Sequence, residues 1–393
     1  MNESGFARLV EGAGGGAYIA GGWVRDTLRD EIPHDKDYVV TGLTEETFLS
    51  LFPGARMVGR GFPVYLLEMG GDVCEVAFAR RDVKTGKGYR GFTVSFDPDI
   101  SIEDDLSRRD TTINSMAIRL LTGDMTDPFG GGLDIERRVI KATSERFTED
   151  PVRALRAARQ SAQFGFEIDR GTMLMMGECR DELSSEPRER ITNELARALA
   201  ADRPSLFFRA LADAGILDAT YPQIHALRKA AFEHAMRALD KASRETDRIE
   251  IRFAALARGT GRSPASLEAL EAWRRIMPLP KRWTDCAEFA MREHMRACSL
   301  TKPEEITDLL LRVRRHPIGI DGFAAIIRAD FRGTPDYIEN AEKYYGAMDA
   351  IRGDAIPDGL EGSARGAWLR ERRIASVARV LAEASAPISI CRL

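Results

Sequence analysis

GGWVRDTLRDEIPHDKDYVV (21–40) decides how the first part of the chain reads. AYIA (17–20) ahead of it is small and apolar, as a buried strand requires, and Trp23, Val24, Thr27 and Leu28 recur at helical spacing. A strand, a Gly-Gly junction and a helix are therefore expected in that order. Glycine lets the backbone approach a ligand closely, and a helix start offers unpaired N–H groups at its positive end. Arg25 adds a fixed cation in the first turn, so Gly21, Gly22 and Arg25 form a candidate phosphate site. Asp35-Lys36-Asp37 then runs into Tyr38-Val39-Val40, a good strand sequence, and alternation puts Asp35 and Asp37 on one face. Two carboxylates so placed suit a hard divalent cation such as magnesium. Each half has an ordinary alternative, a tight turn for the glycines and a solvated turn for the aspartates. Their conjunction is a stronger signal than either.

At 393 residues the chain is expected to form two or three domains with ample material for a core. A net charge of −4 argues against passive coating of nucleic acid and leaves a local basic face open. The five cysteines (Cys74, Cys179, Cys286, Cys298 and Cys391) show no Cys-x-x-Cys spacing. They point to neither a zinc site nor a disulfide framework, and a reduced cytoplasm is the expected location. No N-terminal stretch reads as a secretory signal, and no apolar run is long enough to span a bilayer, so no membrane role is expected. Strand-like runs such as YLLEM (65–69) and DVCEVAFA (72–79) give way, from about residue 141, to helical periodicity. Examples are VRALRAARQSAQF (152–164), ERITNELARALA (189–200) and RGAWLRERRIASVARVLAEA (365–384). The expected class is α+β, a mixed α+β head followed by an all-helical remainder.

Glu75 lies in the second of those strands, either as a third carboxylate beside the aspartate pair or as a charge on the open face of a half-covered sheet. RRDVKTGKGYRGFTVSFDPD (80–99) is long for a connection, which marks it as mobile or functional. SIEDDLSRRDTTINSMAI (101–118) reads as a helix starting near Ser101, with Arg108 and Arg109 in its later part. They either face helix-end carbonyls or hold a nucleotide phosphate.

In TEDPVRALRAARQ (148–160), Asp150 before Pro151 has the pattern of a helix cap followed by proline in the first turn. Capping does not account for Arg153, Arg156 and Arg159, a stripe set beside the apolar stripe of Val152, Leu155 and Ala158. The stripe is either a solvated basic face or, beside a metal pair, a clamp for a triphosphate. Asp150 with Arg153 sets an acceptor beside a donor, matching an edge with an amino donor next to an unprotonated ring nitrogen. Cytosine and adenine have that edge; guanine and uracil present an oxo group and a ring N–H, which would be mispaired.

These residues together resemble the class II tRNA nucleotidyltransferases, the CCA-adding enzymes and bacterial poly(A) polymerases. The resemblance rests on GGWVRD…DKD (21–37), VGRGFPVYL (58–66), EDDLSRRDTTIN (103–114) and EDPVRALRAAR (149–159), and runs on through ADFRG (329–333) to LRERRIASVARV (369–380). It implies a polymerase-β-like nucleotidyltransferase head over 1–140, a helical neck for base recognition over 141–220, and a helical, tRNA-binding body and tail over 221–393. It implies Mg2+ on Asp35 and Asp37, with Glu75 as a further catalytic carboxylate. It assigns nucleotide binding to Gly22, Arg25, Arg109, Asp150, Arg153, Arg156 and Arg159. The partners implied are CTP, ATP and the acceptor arm of tRNA, with Arg365, Arg370, Arg372 and Arg373 as tail candidates.

VGRGFPV resembles the CCA-adding branch, and the full-length segment 80–99 favours complete CCA synthesis over CC addition. The rivals are a poly(A) polymerase, a partial CC- or A-adding enzyme, and an inactive RNA-binding relative. One departure stands out. Related enzymes often carry a metal-binding His-Asp pair in the body; IRFAALARGTG (251–261) has Ala257 and Arg258 there. The five histidines are His34, His225, His234, His294 and His316, with no adjacent His-Asp pair in the body. Phosphohydrolase activity is expected to be absent.

Overall fold

A computed structural model describes the chain except for residues 34, 60–62, 85, 87–91, 259–264, 332, 352–355, 358–359 and 386–393. It divides into two compact units, Met1–Ala198 with Leu206–Pro222, and Leu199–Ser205 with Gln223–Leu393.

The first unit is built on a mixed sheet. Its strands are β1 (Gly16–Ala20), β2 (Asp37–Thr41), β3 (Arg56–Val58), β4 (Val64–Met69) and β5 (Asp72–Phe78). A separate hairpin, β6 (Arg81–Lys84) with β7 (Phe92–Ser95), precedes β8 (Ala117–Arg119) and β9 (Met125–Thr126). The sheet order is β3-β4-β5-β2-β1-β8-β9, with β2 parallel to β5 and the other neighbours antiparallel. Alternation is clearest in β4, where Tyr65, Leu67 and Met69 are buried while the intervening residues keep solvent access. Helices α1 (Glu3–Gly12), α2 (Gly22–Leu28) and α3 (Glu45–Leu51) supply further core residues. Phe6 from α1 and Phe48 from α3 meet Phe52, Tyr38, Tyr65 and Phe78 in an aromatic cluster.

Beyond the sheet come α4 (Ile102–Ser107), α5 (Gly131–Arg137), α6 (Val152–Phe164), α7 (Arg170–Glu178), α8 (Arg180–Ser185), α9 (Arg188–Ala200) and α10 (Ser205–Asp213). The expectation of an α+β head and a helical remainder holds. The helix expected through 101–118 is much shorter: Ser101 caps α4 through Asp104 N–H (3.1 Å), and the helix stops at Ser107. Buried acids redirect the chain there. Asp105 draws Arg108 and Arg109 back onto itself, and Asp110 takes the Thr111 N–H at 2.8 Å. A 3-10 turn over Thr112–Asn114 then leads into β8. Of VGRGFPVYL, residues 60–62 lie outside the described residues, as do 85 and 87–91 of the Gly-rich segment.

The second unit is helical. Arg252, almost fully buried, holds the carbonyls of Leu199, Ala201, Ser243 and Thr246 and so joins several backbone segments. No helix among the described residues is long and apolar enough to cross a membrane.

Candidate nucleotide-binding site

β1 delivers the chain to Gly21, whose φ of +82° lies where only glycine sits without strain. A Cβ there would be 2.6 Å from Arg109 Nη1, whereas one on Gly22 would meet nothing closer than Arg25 Nη2 at 3.5 Å. Gly21, not Gly22, is thus the position whose backbone demands glycine, and a side chain there would push the Arg109 guanidinium aside. The helix that follows has only seven residues. The local positive potential therefore comes chiefly from guanidiniums.

Arg25 is fixed on three sides. Its Nε and Nη2 donate to the two oxygens of Asp26 (2.9 and 2.7 Å), Nη1 donates to Asn114 Oδ1 (2.7 Å), and the group lies 4.7 Å over the Phe164 ring. Arg109 Nη2 donates to Asp105 at 3.2 Å and Nη1 to the Asn114 carbonyl at 3.4 Å. Burial pushes the Asp105 carboxyl up, but Arg108 and Arg109 bring it below the usual carboxylate range. Arg80 is lowered to about 10 by burial and by the neighbouring charge of Arg108.

Asp35 lies just before β2, and Asp37 is its first residue, so only the second is in the strand proper. Asp37 is in register with Glu75 on the parallel neighbour β5, which places the two side chains on one face. Asp35, Asp37 and Glu75 line one cavity of about 990 Å³. Burial raises the Asp37 pKa; Arg109 pulls it back, while Glu75 and Asp35 push it up. That mutual repulsion is what a divalent cation relieves. Among the described residues no group of three or more His, Cys, Asp or Glu is gathered tightly enough to hold a metal ion alone. The donor set still fits magnesium, which binds through one or two carboxylates and completes its shell with water and substrate phosphates.

α6 spans Val152–Phe164. Pro151 already has helical φ and ψ, Val152 N–H donates to Asp150 Oδ1 at 3.2 Å, and Gly165 closes the other end at φ +66°. Each arginine of the stripe on α6 is engaged by a polar partner, although Arg156 keeps solvent access. Arg153 is buried and donates to the Arg146 carbonyl. Arg156 Nε lies 2.9 Å from Asp110 Oδ2, and Arg159 Nε donates to Glu194 at 2.7 Å. Asp110 is buried; although burial raises its pKa, Arg156, Asn114 and the Thr111 N–H bring it to about 2. Asp150 is paired with a residue outside the expected set. Arg190 Nη2 donates to both its oxygens, at 3.2 and 2.9 Å.

A cleft of about 800 Å³ joins these groups: Asp35 and Asp37, Gly21, Gly22, Arg25 and Arg109, and Asp150, Arg153, Arg156 and Arg159. Glu75 lines the adjoining cavity and not this cleft. The cleft also holds Asp26, Asp110, Asn114 and Arg190, which the sequence reading did not single out as site residues. For Asn114 the signal was its place in the quoted stretch 103–114; Arg190, forty positions from Asp150, left no local signal.

In the second unit, Arg258 donates to Asp330 at 2.5 Å, and His234 Nε2 lies 2.6 Å from the other Asp330 oxygen. His294 Nε2 is 3.2 Å from the same guanidinium. Burial raises the Asp330 pKa, but His294, Arg258 and His234 hold it well below the usual carboxylate range. In the tail, Arg370 pairs with Asp308 at 2.6 Å, Arg372 lies over the Trp368 ring, and Arg365 is exposed.

Comparison with known proteins finds relatives along most of the chain. Residues 17–141 match the family model described as the poly A polymerase head domain. Residues 165–228 match the probable RNA and SrmB-binding site of polymerase A. The multifunctional CCA protein of Xanthomonas campestris is 36% identical over 92% of this chain and 98% of its own length. That of Hahella chejuensis is 33% identical over 92% and 94%. A CCA-adding enzyme in apo form II superposes with a TM-score of 0.73 at 19% identity, covering 97% of this chain and 95% of that one. The Bacillus stearothermophilus CCA-adding enzyme in complex with CTP gives 0.67 at 24% identity, covering 97% and 92%. The two structures speak to the fold.

Proposed function

The chain belongs to the class II tRNA nucleotidyltransferase and poly(A) polymerase family, and from that membership we propose the following account of its activity and site. It adds C, C and A to the 3′ end of tRNA from CTP and ATP, without a nucleic-acid template and with release of pyrophosphate. The observation that carries the reading is the single cleft with the Asp35–Asp37 pair, the arginines of α6, and Arg25 and Arg109 around one space.

Asp35 and Asp37, with Glu75 adding negative charge beside them, hold divalent metal, assigned here as Mg2+. When bound, such ions acidify the terminal ribose hydroxyl of the tRNA and neutralise the leaving pyrophosphate. Arg25 and Arg109 offset negative charge as the α-phosphorus is attacked, and Arg156 and Arg159 clamp the triphosphate. Gly22 lets the backbone come close to the nucleotide. Asp150 accepts from the amino group of cytosine or adenine, and Arg153 supplies the donor for the adjacent ring nitrogen. Guanine and uracil present the reverse pattern and leave these groups mispaired. The helical neck, body and tail bind the acceptor arm through shape and phosphate contacts, as suits double-helical RNA.

The assignment to a reducing cytoplasm is supported by Cys74, Cys286 and Cys298, none of which is in a disulfide. Arg258 beside Asp330 supports the absence of phosphohydrolase activity, because a guanidinium there repels a divalent ion. The test of the main reading is incubation with tRNA lacking its CCA end and labelled CTP and ATP, followed by sequencing of the products. CCA ends are expected; CC ends or long A tails would replace this reading with one of its rivals.

A further inference from the structure

Arg190 sits on α9, opposite the start of α6, and its guanidinium bridges two acids. Nη1 donates to Glu186, a buried carboxylate one turn earlier, and Nη2 donates to both oxygens of Asp150. Asp150 Oδ1 also accepts from Val152 N–H at 3.2 Å. One donor from its own helix start and one from across the cleft thus converge on the carboxylate.

We propose that Arg190 is a positioning residue for base selection: it fixes the plane of the Asp150 carboxylate, and discrimination between cytosine and uracil depends on that fixation. The inference rests on the assignment of Asp150 as the acceptor for the base. Cytosine offers an exocyclic amino donor, and uracil offers a ring N–H set deeper in the same edge. A carboxylate accepts equally well from either kind of donor. The Asp150 carboxylate taken alone therefore does not separate the two bases; the place at which it is held, so that the base edge meets it and Arg153 in the matching order, does. The bond from Val152 N–H leaves the carboxylate free to swing about one oxygen. Arg190 engages the second oxygen and removes that freedom, while a carboxylate with about four lone-pair directions keeps capacity for the base. Arg153 does not do this work in the structure, since it is buried against the Arg146 carbonyl. Glu186 in turn fixes Arg190, so the chain of control runs from Glu186 through Arg190 to Asp150.

The test compares kcat/KM for CTP and UTP on tRNA lacking its CCA end, in the full chain and in Arg190→Gln and Arg190→Lys. Arg190→Gln is expected to lower the CTP-to-UTP ratio by about tenfold or more, in line with the loss of a hydrogen-bond constraint. The KM for tRNA should stay within about twofold, and Arg190→Lys, which keeps a charge but not the planar fork, should fall between. A ratio within about twofold of the parent in Arg190→Gln overturns the inference, even if kcat drops, because a purely structural ion pair slows all nucleotides alike. If circular dichroism shows Arg190→Gln unfolded, Glu186→Gln gives the same readout. A lowered ratio there supports the inference, and an unchanged ratio overturns it. If the parent itself shows no preference for CTP, the base-reading assignment of Asp150 fails, separately from the role of Arg190.

Discussion

Arg109 Nη1 lies 2.6 Å from where a side chain on Gly21 would begin, in a backbone conformation of φ +82°. The glycine that ends β1 and the arginine beyond α4 are thus fitted to each other, and the guanidinium so placed acts on Asp37. Gly21→Ala is expected to cost roughly 1–3 kcal/mol through backbone strain and to raise the KM for nucleotide by displacing Arg109. Gly22→Ala, with ordinary clearance, should leave stability nearly unchanged. Urea unfolding beside nucleotide titration checks both; equal loss of stability in the two variants would contradict the steric account.

Asp110 gives a pH signature. Its carboxyl is held at about 2 in the folded chain, below the ordinary value of 3.8. A depressed folded pKa means stability that is complete above the unfolded pKa and is lost as pH falls from about 4 toward 2. The contribution is roughly 2–3 kcal/mol at neutral pH. Asp110→Asn should therefore be less stable than the parent at pH 7, with the gap shrinking as pH falls through that window. A gap independent of pH would show that the charge on Asp110 is not what matters.

The start of α6 was legible because Pro151 marks it, and β1, β2, β4 and β5 because their apolar runs are local; β6 and β7, inside the stretch 80–99 read as a connection, and β8, inside the stretch read as a helix, were not. The length of α4 was not. Its end is set by Asp105, which accepts from Arg80 N–H, and by Asp110, which meets Gln160 and Arg156, all far away in sequence. The same holds at the site. Asp35, Asp37, Arg25 and the α6 arginines stand in readable motifs, but the partner of Asp150 does not. A carboxylate and a guanidinium forty positions apart carry no spacing signal. Asp330 was missed as the partner of Arg258 for the same reason.

Arg258→Ala removes the cation facing a buried carboxylate while leaving His234 and His294 beside it. Breaking such a pair is expected to cost about 3 kcal/mol or somewhat more, read as a shift in the urea midpoint at constant slope. An unchanged midpoint would show the pair to be energetically idle.

The parent chain should release no phosphate from 2′,3′-cyclic AMP or pyrophosphate with nickel or magnesium, in the same preparation that extends tRNA. Hydrolysis that co-purifies and survives Asp35→Ala would reveal a hydrolytic site apart from the cleft.

Transfer is expected to depend on metal held by Asp35 and Asp37. The most direct measurement is the rate of CMP addition to tRNA lacking CCA by Asp35→Ala and Asp37→Ala, with tRNA affinity measured on the same proteins. Addition is expected to fall by about a thousandfold or more while the Kd for tRNA stays within about twofold, since mutagenesis at a metal or charge-stabilising centre removes several kcal/mol of transition-state stabilisation. Near-normal addition with magnesium in either variant would contradict it.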